Sequence, residues 1–231
     1  MNQFWIIRHG QSLSNAGLPT NSADDNVLTG IGEAQAGCVA VSIHEPPDLI
    51  VVSPYRRTHL TAAPLLQKFP QVPIETWSVQ EFTYLSLPAN SGTTHRARMP
   101  LSVAYWQRSD PNYVDGEGAE SFTHLMQRAK GALERLQTTP GFTVLFSHST
   151  FTKAILWQIL EAPDRLNESA MRHFHLFHRG FRVPNASILK LELARDRTLR
   201  WSHFHVDHIP KELRTPTADR VMELQLADQQ S

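Results

Sequence analysis

The chain has 231 residues, 41% of them hydrophobic, which is enough to bury a full core in one sizeable domain. Twenty-two Lys and Arg balance twenty-two Asp and Glu, so nothing in the net charge draws it to nucleic acid or to an anionic membrane surface. The single cysteine, Cys38, excludes an intramolecular disulfide and fits a reducing compartment.

Met1 to Arg8 has no basic region followed by a long apolar run, so no signal peptide is expected. No apolar stretch approaches the ~20 residues a membrane helix needs. The cytoplasm is the expected setting. Phe4-Trp5-Ile6-Ile7 is a short continuous apolar run, the pattern of a strand buried on both faces of a parallel sheet. A helix is expected over Thr29–Glu45, with Thr29 as its cap. Leu49-Ile50-Val51-Val52 is a second strand-like run. Ser53 and Pro54 follow it as a candidate N-cap and first helical residue of a helix to Phe69. Pro73–Trp77 reads as a further strand.

Residues Ser86 to Gly118 hold Pro88, Asn90, Gly92, Pro100, Pro111, Gly116 and Gly118, and read as an irregular, lid-like insertion. A helix is expected over Ser121–Gln137, capped by Ser121. Thr143-Val144-Leu145-Phe146 is a third buried run, and a helix follows Ser147-His148-Ser149-Thr150 to about Ala162. Met171–His178 reads as helical, and Ala186–Leu193 and Leu199–His205 as strands. A polar tail begins after about Pro210. This alternation predicts a single α/β domain over residues 1–231, a three-layer α/β/α sandwich with a mostly parallel central sheet.

Three of these strands end in residues suited to phosphate. The first ends at Arg8-His9-Gly10, the second leads to Arg56 and Arg57, and the third ends at His148. Ligands of open α/β sheets bind outside the carboxyl ends of the strands, so residues distant in sequence can meet at one edge. Helix N-termini there offer N–H groups to an anion, and arginine matches phosphate with a planar fork of donors. Arginines also lower the pKa of a nearby imidazole and keep it neutral, able to attack phosphorus. Glu81 could then protonate a leaving alkoxide.

These segments resemble the histidine phosphatase superfamily, which includes the cofactor-dependent phosphoglycerate mutases. The resemblance runs from about residue 3 to 193. It rests on Arg8-His9-Gly10-Gln11-Ser12 with Asn15, then Leu28-Thr29-Gly30-Ile31-Gly32-Glu33-Ala34-Gln35-Ala36. It continues through Ser53-Pro54-Tyr55-Arg56-Arg57-Thr58 with Thr61-Ala62, Gln80-Glu81-Phe82 and Gly118-Ala119-Glu120-Ser121-Phe122. Val144-Leu145-Phe146-Ser147-His148 and Asn185-Ala186-Ser187 complete it.

The resemblance implies a phosphoglycerate mutase-like fold and hydrolysis of small phosphomonoesters through a phosphohistidine on His9. Arg8, Arg57 and His148 would complete the phosphate pocket with help from Asn15, and Glu81 would be the general acid and base. It implies no metal and no organic cofactor. Ser149-Thr150 stands where a glycine often follows the second histidine, and Thr58 replaces a frequent alanine. Phe82-Thr83-Tyr84-Leu85 lacks the tract with which mutases hold a phosphoglycerate, which favours a phosphatase over a phosphomutase. A non-catalytic phospho-ligand binding module is the alternative of another class. Arg96, Arg98, His95 and Arg108 of the insertion are candidates to meet an anionic substrate; Phe82, Tyr105 and Trp106 are candidates for an apolar wall or for simple packing.

His203-Phe204-His205-Val206-Asp207-His208 matches the His-x-His-x-Asp-His pattern of metallo-β-lactamase-fold hydrolases, and two histidines one residue apart on a strand could hold zinc. That fold needs further ligands well downstream, and none of the 23 residues after His208 is a histidine. Ordinary strand and loop histidines are the expectation here and at His173, His175 and His178.

Overall fold

A computed structural model of the protein describes residues 2–22, 26–163 and 165–215. Six strands form one sheet: β1 (Asn2–Arg8), β2 (Leu49–Val52), β3 (Ile74–Thr76), β4 (Phe142–Ser147), β5 (Ile188–Leu193) and β6 (Leu199–His205). Their spatial order is β3-β2-β4-β1-β5-β6. The first four in that order run parallel to one another. β5 is antiparallel to both β1 and β6. The direction therefore reverses beside β1, and the sheet is mixed.

The continuous apolar runs divide between two cores because successive side chains of a strand point to opposite faces. Phe4, Ile6, Val51 and Leu145 pack on one side, with α5 (Phe122–Thr138), α6 (Ser149–Leu160) and α7 (Glu168–Gly180). Ile7, Ile50, Val52, Val144 and Phe146 pack on the other, with α1 (Gly30–Ser42) and α2 (Arg56–Lys68). Two helical layers around one sheet make the expected sandwich. Thr29 caps α1 by accepting from Gly32 N, and Ser121 caps α5 by accepting from His124 N. Each satisfies an N–H that a helix start leaves without an intrahelical partner.

Two expectations need correction. α2 starts at Arg56, not Pro54, and its N-cap residue is Tyr55. Ser53 cannot serve as cap because its hydroxyl lies 2.7 Å from His148 Nε2 and accepts from Tyr55 N. Nor is the 86–118 insertion mainly irregular, since it contains α3 (Leu87–Asn90) and the 14-residue α4 (His95–Arg108). Thr94 caps α4 through Ala97 N, and Ser109 ends it in the left-handed region at φ 53°. Tyr105 and Trp106 anchor α4 in the main core, where the Trp106 ring stacks on His175 at 4.5 Å. α7 is also longer than the Met171–His178 expected. Residues 216–231, most of the anticipated tail, lie outside the described residues. No helix among the described residues is long and apolar enough to cross a membrane.

Candidate active site

β1 delivers Arg8 and His9 to the carboxyl edge of the sheet. His9 N donates to Ser147 O at 3.0 Å, so the residue beyond β1 is stitched to the end of neighbouring β4. From the opposite side, Ala186 N and Asn185 Nδ2 both donate to His9 O at 3.2 Å. Gly10 N donates to Thr61 Oγ1 on α2, and Thr61 Oγ1 in turn donates to Arg57 O. The loop then passes under α1 at very short range. A Cβ on Gly32 would sit 2.1 Å from Gln11 O, and one on Gly10 would sit 2.4 Å from Gly32 O. Only glycine permits that approach at either position.

His9, Arg57 and His148 are 3%, 4% and 0% exposed. The two imidazoles lie 5.1 Å apart between ring centroids. Tyr55 closes over this group, with the Arg57 guanidinium 4.7 Å from its ring centre and His148 edge-on at 5.4 Å. Arg8 reaches the Val183 carbonyl. Burial, then Arg57, then Arg8, holds the His9 pKa well below the usual histidine value, against a smaller raising effect of Gly10. Burial, Arg57, His9 and Arg8 push His148 down in the same way. Both rings are therefore neutral at neutral pH.

Glu81 lies on the loop after β3. Its Oε1 accepts from Phe82 N, Thr150 N and Phe151 N at 3.1, 2.9 and 3.2 Å. Two of these donors are at the start of α6, whose dipole favours a negative group. Oε2 makes no hydrogen bond among the described residues.

Arg8, His9, Asn15, Arg57 and Glu81 all line one cavity of about 280 Å³. His148 lies against it through His9 and Tyr55. The structure thus brings every proposed site residue to one place. Asn15 arrives with its carboxamide oxygen engaged by Ser12 N and Asn185 Nδ2. Ser149 and Thr150 line the cavity where a glycine was noted as more usual. Of the insertion residues, His95 and Arg98 line it; Arg108 instead lies over the Tyr113 ring at 3.9 Å. Phe82 is in the wall, whereas Tyr105 and Trp106 are core.

Sequence reasoning passed over the Ser53 and Thr58 hydroxyls. They form a short relay, Thr58 Oγ1 to Ser53 Oγ at 3.0 Å and Ser53 Oγ to His148 Nε2 at 2.7 Å. Thr58 is therefore more than a neutral replacement for alanine. Their place in the Ser53–Thr58 motif was the available signal, and polar residues flanking an arginine pair were worth reading as its support. Lys153, Arg182 and His178 also line the cavity. They come from the second turn of α6 and the segment around the end of α7, and no local pattern linked them to His9.

This chain belongs to the histidine phosphatase superfamily, branch 1, whose family model matches residues 4–203. Solved structures share its fold. Phosphoserine phosphatase from Entamoeba histolytica, in complex with 3-phosphoglyceric acid, superposes with a TM-score of 0.68 at 21% identity, covering 91% of this chain and 100% of that one. A mycobacterial glucosyl-3-phosphoglycerate phosphatase gives 0.65 at 23%, covering 89% and 98%. The α-ribazole phosphatase of Shigella flexneri gives 0.64 at 21%, covering 86% and 94%. No curated protein matches the chain.

Proposed function

We propose that this chain is a phosphomonoesterase that passes through a phosphohistidine on His9. One observation carries the reading. His9 Nδ1 lies 2.7 Å from the Gly10 carbonyl oxygen, which can only accept. The ring hydrogen therefore sits on Nδ1, and Nε2 keeps the lone pair that attacks phosphorus.

In the first step Nε2 bonds to phosphorus and the ester P–O bond breaks. Glu81 gives its proton to the leaving alkoxide. That proton is carried on Oε2, because Oε1 is occupied by three N–H donors. In the second step Glu81 takes a proton from water, the hydroxide attacks phosphorus, the P–N bond breaks and inorganic phosphate leaves. Arg8 and Arg57 hold the phosphoryl oxygens throughout. A Ser53 hydroxyl donating to His148 Nε2 leaves the hydrogen on Nδ1, which has no partner among the described residues and so is available to a phosphoryl oxygen. Asn15 can help only through its NH2 group. No step needs a metal or an organic cofactor.

Rapid mixing with 32P-labelled phosphomonoester and an alkaline denaturing quench tests this, because phosphohistidine survives alkali. Label is expected on the peptide containing His9. Turnover with no label on the chain would overturn the intermediate. Free phosphate as the product, rather than an isomerised ester, separates phosphatase from phosphomutase.

Arg57→Ala is expected to lower kcat by about 10²–10³. Arg57→Lys recovers only part of this, since a point charge lacks the fork geometry. The acid limb of the pH–rate profile also moves to higher pH in Arg57→Ala. Losing that cation raises the His9 pKa, and protonation silences the nucleophile sooner as pH falls. A kcat within threefold of wild type would remove Arg57 from the cup.

The substrate in this reading is small. Arg98, Lys153 and Arg182 extend the cationic lining beyond the phosphate cup, with His95 beside them. Arg98→Ala is expected to raise KM several-fold for phosphomonoesters that also carry a carboxylate, leaving KM for uncharged alkyl phosphates unchanged. Equal effects on both would remove Arg98 from substrate recognition.

A further inference from the structure

The sheet ends at β6, and the outer end of that strand carries a group of side chains unrelated to the phosphate cup. His203 and His205 are two residues apart, so the strand's alternation sets both on one face. Phe204 faces the other way, stacked at 5.9 Å on Phe181 and packed on the core. That packing fixes which face the two imidazoles occupy. Their ring centroids are 4.0 Å apart. Asp207 follows the strand end with its side chain 86% exposed. One ligand atom from each of the three lies within 4.8 Å of the others, the sole such group of three among the described residues. None of the three lines the cavity at His9.

We infer that His203, His205 and Asp207 form a binding site for one divalent transition-metal ion of the zinc class. Two imidazoles and a carboxylate are a common donor set for such ions, and three protein ligands leave a fourth position for water. Ligand atoms around tetrahedral zinc are about 3.3 Å apart, from bond lengths near 2.0–2.2 Å. The ligand atoms would have to close from within 4.8 Å, with His203 and Asp207 exposed and His205 partly buried. Imidazole ligands favour zinc, nickel, copper and cobalt over magnesium and calcium.

The other histidines near this segment are already engaged. His208 Nε2 lies 3.0 Å from Ala186 O, which takes it out of the ligand set. His175 is stacked on Trp106 and His178 is buried beside it. The imidazoles of His203 and His205, by contrast, make no hydrogen bond among the described residues. Arg214 stands 4.0 Å from the Asp207 carboxylate. That cation competes for the carboxylate, so weaker binding than at a closed structural zinc site is expected.

The site stands or falls independently of the role of His9. The test uses the untagged full chain, stripped with chelator and titrated with zinc chloride by calorimetry, with cobalt(II) absorption as a second readout. One equivalent of zinc is expected to bind with micromolar Kd and to raise the melting temperature. His203→Ala and His205→Ala should each weaken binding at least tenfold, and Asp207→Asn several-fold. His9→Ala and His173→Ala should bind as wild type, which excludes the cup and α7. No saturable binding up to about 1 mM zinc, or binding that survives the double variant His203→Ala/His205→Ala, would overturn the proposal. An unchanged Kd in Asp207→Asn would overturn the three-ligand set.

Discussion

His9→Ala is expected to abolish phosphate release, a loss of about 10⁴-fold or more, while the protein stays folded. In the proposed mechanism the imidazole contributes the nucleophilic nitrogen, and no neighbour can replace it. His148 is tied by Nε2 to Ser53, and Glu81 by Oε1 to three backbone donors. The anchors of this loop are main-chain groups that alanine keeps: His9 N to Ser147 O, and Ala186 N and Asn185 Nδ2 to His9 O. Among the described residues the side chain bonds only to Gly10 next door. The variant should therefore melt as a cooperative unit and still bind inorganic phosphate through Arg8 and Arg57. Phosphate release by His9→Ala at the wild-type rate would falsify the covalent mechanism. Circular dichroism of the variant separates lost chemistry from a lost fold.

The second large effect is on stability. His9, His148 and His178 are buried, and burial is the leading cause of each lowered pKa. His178, with Lys153 nearby, is pushed down to about 3. Unfolded, each returns to about 6.5. Above that pH both states hold these rings neutral, and stability does not vary through them. Below it the unfolded chain takes up protons that the fold excludes, so stability falls as pH falls. The loss is roughly 1 kcal/mol per pH unit for each ring, or about 3–4 kcal/mol for the three between pH 6 and 5. That is a large share of the ~5–15 kcal/mol that holds a typical domain. Urea titrations at pH 7 and 5 should show a much lower midpoint in acid. His178→Phe, a ring of related shape among Trp106 and Phe174, should flatten the slope by about a third. Equal midpoints at the two pH values would mean that the rings are protonated in the fold.

The sandwich was readable because strands buried on both faces leave unbroken apolar runs. Phe4–Ile7, Leu49–Val52 and Thr143–Phe146 all lie in the sheet. Arg8, His9, Arg57 and His148 were readable because they stand at strand ends or a helix start, whereas Asn15 and Glu81 lie on loops and were found through the motifs around them. Ser53 was misread because a serine before a proline satisfies the local rule for a cap. Only the arrival of His148, 95 residues later, gives its hydroxyl a stronger claim. The insertion was misread because its prolines and glycines outweighed the pull of a distant core on Tyr105 and Trp106. The proximity of Asp207 to His203 and His205 also depends on how the chain leaves β6, which periodicity does not describe.

The reversal of direction beside β1 has a consequence for the timing of synthesis. Because β5 runs against β1, it is the turn leading into β5, at Asn185 and Ala186, that grips the carbonyl of His9. A ribosome emits His9 near the outset but the brace on its carbonyl some 175 residues afterwards. A nascent chain halted before Asn185 would carry His9 without that clamp. The bracing of His9 is therefore complete only once the C-terminal hairpin docks.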